Sequence, residues 1–140
     1  MEKVAPGFTD ALIAEITEML KHIPSSELAI QWDMAIENRL IEVPLKEDNL
    51  DGAKAAAERV AKPARDICLT IPKEVAIGYH SCYGTLDGWP SRTPPDATGT
   101  VLLLNAVIEA SGRPVEFVHF PTLAASDEVF FRPFENLNLQ

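Results

Sequence analysis

Only two cysteines, Cys68 and Cys82, occur in 140 residues. That is too few for the disulfide framework of a small secreted domain, and it fits a reducing compartment. Positive charge is also scarce, with 12 Lys and Arg against 21 Asp and Glu and a formal net charge of −9. Affinity for a phosphate backbone comes from Lys and Arg, so no nucleic-acid partner is expected. No apolar run approaches the roughly 20 residues that cross a bilayer, so no membrane partner is expected either. The opening Met-Glu-Lys-Val-Ala-Pro-Gly lacks the apolar centre of a signal peptide, which makes the cytoplasm the default address. A Gly-rich phosphate loop, a nucleophile elbow and a Cys-x-x-Cys pair are all missing, which argues against nucleotide hydrolysis, serine hydrolysis and a zinc ribbon.

What remains has ordinary globular composition, 46% hydrophobic and 24% charged, at a length that suits one domain over residues 1–140. Three short apolar runs read as strands near 28–33, 75–80 and 115–119. Helices are expected near 10–22, where Leu12, Ile16, Met19, Leu20 and Ile23 recur at helical spacing and Thr9 or Asp10 caps the start, near 51–67, and near 98–110. Pro63 is expected to kink or interrupt the second of these. Residues 36–49 show no convincing period and read as a loop over the strand ends. Residues 84–98, rich in glycine and proline, read as a long loop of the kind used as a lid, in which Asp87 and Asp96 are solvated. Residues 121–140 read as an aromatic tail packed on the body, with a helix starting at Asp127-Glu128.

The chemistry concentrates in Gly78-Tyr79-His80-Ser81-Cys82-Tyr83-Gly84. Residues two apart on a strand share a face, so His80 and Cys82 leave the chain on one side, and imidazole and thiolate are common zinc ligands. A hydrogen-bonded core histidine beside a buried thiol is the plain alternative. Each of the three strands ends on a polar residue, Asp33, His80 or His119. Strand–helix alternation implies parallel pairing, whose C-terminal ends lie on one side, where ligands collect. Glu37, which with Arg39 follows Asp33 closely, and Trp89, in the long loop, are candidate substrate contacts; a solvated loop pair is the simpler account of Glu37 and Arg39, whereas Trp89 reads as readily either way. Trp32 reads as core.

The order Ile30-Gln31-Trp32-Asp33, His80-Ser81-Cys82-Tyr83 and Val115-Glu116-Phe117-Val118-His119 resembles the C-terminal catalytic barrel of cobalamin-independent methionine synthase. That barrel belongs to the superfamily of uroporphyrinogen decarboxylase, and the likeness spans about residues 28–120. It implies that His80 and Cys82 hold a catalytic zinc or another divalent metal, and that Asp33 holds a substrate amino group. His119 stands where the family has a third, glutamate ligand, so the implied set is His80, Cys82 and His119. Met34-Ala35 replaces the family's acidic residue, and the fourth ligand, a later cysteine, has no counterpart. A complete barrel of this kind takes about 250 residues.

The resulting expectation is an α/β fold: a partial TIM-type (βα) barrel with parallel strands and outer helices, truncated, completing itself by self-association or with a partner chain. The expected function is methionine synthase-like and methyltransferase-type, acting on a small molecule in a specialised biosynthetic pathway. The alternatives are a metal-free lyase or isomerase using Asp33, His80 and His119 as acid–base groups, and a non-catalytic piece that pairs with another polypeptide.

Overall fold

A computed structural model of the chain describes residues 5–86 and 88–139; the first four residues, Asp87 and Gln140 lie outside the described residues. The three apolar runs form β1 (Ala29–Asp33), β2 (Ala76–His80) and β3 (Phe117–His119) in a sheet of order β1-β2-β3. Both pairings are parallel, with Asp33 beside His80 and His80 beside His119. Parallel neighbours need long crossovers, and here helices supply them. Between β1 and β2 run α2 (Ala35–Leu45) and α3 (Leu50–Cys68); between β2 and β3 runs α4 (Thr98–Ser111). An N-terminal helix, α1 (Ala5–His22), and a short C-terminal one, α5 (Glu128–Phe131), complete the regular structure, with 3-10 turns at Ser25–Glu27 and Arg132–Asn136. The fold is thus α/β with a three-stranded parallel sheet.

One sheet face is buried and the other is open. Ile30, Ile77 and Tyr79 point into a core built with Ala53, Ala57, Leu103, Leu104 and Val107 from α3 and α4. Tyr79 is anchored there by a hydrogen bond between its hydroxyl and Ser111 Oγ at 2.6 Å. The alternate residues Ala29, Gln31, Asp33, Phe117 and His119 are exposed. Gly78 lies between the outer strands on that open face, and the ring of Phe117 fills the space a Cβ would take. Its lack of a side chain is what lets the edge strand fold its aromatic inward.

Several boundaries differ from the sequence reading, each for a local reason. Among the described residues the first helix already runs from Ala5, so Thr9 and Asp10 lie within it rather than capping it. Residues 36–49 are not a loop: α2 occupies most of them. Its inward positions are Asn38, Ile41 and Glu42, whereas Ile36, Leu40 and Val43 are exposed, so the apolar period that marks a helix is broken by two polar residues on the buried face. Pro63 does not interrupt α3, which runs on to Cys68. That helix starts at Asn49, whose side chain accepts the Gly52 N–H at 2.8 Å, and α4 stops at Gly112, which takes the left-handed φ of 62° that glycine adopts without steric cost. The aromatic tail does pack on the body: Phe130 is buried with Tyr83 and Ala97, and Asp127 caps its helix by accepting the Phe130 N–H at 2.9 Å.

Candidate functional site at the strand ends

Register brings the three strand-end residues into a row. Side chains paired across a parallel sheet emerge on the same face, so Asp33, His80 and His119 follow one another across the C-terminal edge of the open face. The imidazoles of His80 and His119 are 4.6 Å apart between ring centroids and tilted by 38°. The backbone ladder continues past the strand ends, with Met34 N–H donating to His80 O at 2.8 Å and Ser81 N–H to His119 O at 2.9 Å, so the row is fixed by main chain. His80 Nδ1 is buried and has no hydrogen-bond partner among the described residues. A buried ring nitrogen without a partner is costly unless something else meets it.

The other sequence-derived candidates are placed differently. Strand alternation ends at His80, and Cys82 belongs to the loop that follows, where its Sγ accepts the Gly84 N–H at 3.3 Å. Cys82 thus lies two residues beyond the end of β2, where strand alternation no longer sets which face its side chain takes. Among the described residues no group of three His, Cys, Asp or Glu side chains is arranged to hold a metal ion. The donors that do meet are the two imidazoles. Asp33 Oδ1 accepts the Ala35 N–H at 3.1 Å, which turns the chain into α2. Glu37 lies in the first turn of α2 rather than in a loop. Trp89 is exposed in the long loop, and Trp32 is half-buried beside a cavity.

Beneath the row lies a polar centre that sequence reasoning did not find. Asn38, fully buried on α2, donates from Nδ2 to Ser81 Oγ at 2.9 Å and to Thr100 Oγ1 at 3.4 Å. Tyr83 meets the same Thr100 hydroxyl at 3.4 Å, and burial pushes its phenol above the usual tyrosine range. Beside this network Arg92, from the long loop, forms an ion pair with Glu42 at 2.8 Å, with both side chains largely buried. Its other guanidinium nitrogen donates to Cys82 O at 2.6 Å and Ala35 O at 3.2 Å. One arginine thus ties the long loop to α2 and to the segment after β2. Asn38 and Glu42 carried no signal because they occupy inward helix positions where apolar residues are expected. Arg92 gave none because its partners are distant in sequence.

A hollow of about 580 Å3 is an open groove between α3 and α4 lined by residues such as Lys54, Arg65 and Glu109; none of Asp33, His80 and His119 lines it. No helix among the described residues is long and apolar enough to cross a membrane. Compared with known proteins, the chain matches no family model, no curated protein and no solved structure.

Proposed function

We propose that the strand-end row is a small-molecule site and that His80 and His119 act on the ligand together by holding a divalent metal such as zinc. The observation that carries this reading is the imidazole pair, two rings 4.6 Å apart on neighbouring strands, one with a buried, unpartnered Nδ1. Such an ion, when bound, supplies a Lewis acid that lowers the pKa of a coordinated thiol or water. Two protein imidazoles leave coordination positions for ligand atoms, as catalytic sites require. Asp33, next in the row, presents a carboxylate to a polar ligand group. A methyltransferase-type reaction on a thiol, in the manner of the methionine synthase-like barrels, is the activity this arrangement favours.

A second reading is metal-free acid–base catalysis by Asp33, His80 and His119. It is favoured by the turn of Cys82 towards Gly84 N–H, which leaves two imidazoles rather than three donors together. Both readings treat the chain as part of a (βα) barrel. Parallel order, with helices on one sheet face and the other face open, supports this, and the outer edges of β1 and β3 offer unpaired backbone to a second copy or a partner chain.

Metal analysis of protein purified without added metal, followed by cobalt titration, tests the proposal. One ion per chain is expected, lost in both His80→Gln and His119→Gln. A parent protein that binds no cobalt or zinc at neutral pH removes the metal reading and leaves the acid–base one. Light scattering tests the barrel: a monomer with no binding of a hydrophobic dye counts against an open sheet that needs a partner.

A further inference from the structure

On the other side of the sheet from the imidazoles, a second cavity of about 260 Å3 opens between α1, the end of β1, the start of α2 and α3. Its walls are largely apolar, including Leu12, Trp32, Val60 and Ala64, and its charged lining residues are two carboxylates, Asp33 and Glu37. Among the described residues no Lys, Arg or His lines it. Glu37 takes part in no ion pair among the described residues, whereas Asp33 already accepts the Ala35 N–H. From this we infer that the cavity is a binding site for a small organic cation: an apolar or aromatic body with a protonated amine held by Glu37 at the mouth.

Size, wall chemistry and charge agree on that class. A dry apolar cavity of about 150 Å3 takes benzene, so 260 Å3 holds an aromatic ring with a short arm. An indole such as that of Trp32 attracts a cation through its π face. A carboxylate without a partner gains a charge-assisted hydrogen bond from an ammonium, and an anion would meet two negative groups with no compensating cation. The net charge of −9 favours the approach of cations over anions. The cavity exists because α1 packs sparsely on α3 while Pro63 and Ala64 present little bulk. Neither His80 nor His119 lines it; Asp33 belongs to both places, so Glu37, which the strand-end row does not use, is the residue that separates the two proposals.

A charge series on the intact chain tests it. Phenethylamine, phenethyl alcohol and phenylacetate share a ring and differ in charge. Calorimetry is expected to show binding of phenethylamine about tenfold tighter than the alcohol and no binding of phenylacetate. Glu37→Gln is expected to erase most of the amine's advantage without changing the alcohol's affinity, a readout that a general loss of folding would not produce. Ala64→Leu, which fills the cavity, should abolish binding of both while the protein still unfolds cooperatively. Equal affinity for amine and carboxylate, or no binding of phenethylamine at millimolar concentration, overturns the inference. So does a concentration-dependent dimer that phenethylamine dissociates, since that would put a second copy in the cavity. Undiminished binding to Glu37→Gln would assign the amine's affinity elsewhere and also overturn it.

Discussion

His80 and His119 share one rung of the parallel sheet, and their rings lie 4.6 Å apart on its open face. The backbone holds them in place, since Ser81 N–H donates to His119 O and the exposed His119 ring is not needed for the core. His119→Gln is therefore expected to shift unfolding free energy by no more than about 0.5 kcal/mol while removing cobalt binding. Urea titration and cobalt absorbance on the same preparation check both halves. In the parent, cobalt affinity should fall as pH is lowered, because protons compete for the same nitrogens.

Arg92 and Glu42 form a largely buried ion pair at 2.8 Å, and the arginine also serves two main-chain carbonyls. Removing one partner strands the other charge away from water, which costs about 3–5 kcal/mol. Arg92→Met is expected to fall in that range and to expose residues 84–98 to protease. Glu42→Gln should cost less than Arg92→Met, because the guanidinium keeps its bonds to Cys82 O and Ala35 O. Denaturant midpoints and limited proteolysis give the comparison.

Burial raises the Tyr79 phenol well above the ordinary tyrosine value, the largest cause being loss of solvation, partly offset by the bond to Ser111. The folded chain therefore keeps this proton at pH values where the unfolded chain releases it. The stabilisation is complete below about pH 10, the unfolded value, and is lost as pH climbs beyond it. Alkaline unfolding should be shallower in Tyr79→Phe, which at neutral pH costs about 1 kcal/mol for the lost hydrogen bond. Chemical denaturation at pH 7, 9 and 11 reads both effects.

Gly78 gives up its side-chain space to the Phe117 ring. A Cβ there would drive the ring off β2, and overpacking of this kind costs about 1–3 kcal/mol. Because Phe117 is on an edge strand and half exposed, it has somewhere to go, so Gly78→Ala should fall at the low end. The penalty should shrink in a Phe117→Ala background, and a double-mutant cycle measures that coupling.

The strands were legible because each is a short apolar run ending in a polar residue, and their parallel order followed from the helical lengths between them. The strand-end row was legible for the same reason: one residue at each strand end, aligned by register. Two parts of the site were not. Cys82 was read with His80 by extending strand alternation two residues beyond the end of β2, and only the fold decides where that end is. Helix α2 was hidden because its buried face carries Asn38 and Glu42, whose partners come from other segments: Asn38 Nδ2 meets Ser81 and Thr100, and Glu42 meets Arg92.

By itself, then, the sequence determined which stretches can bury an apolar face and which side chains end the strands, since periodicity and composition act locally. Tertiary structure alone decided that a helix with an amide and a carboxylate on its buried face is stable, that Arg92 ties down the long loop, and that two imidazoles distant in the chain come within 4.6 Å of each other. The reason is physical: a buried amide or carboxylate is tolerated only beside its partner, and those partners lie in segments that no local pattern connects.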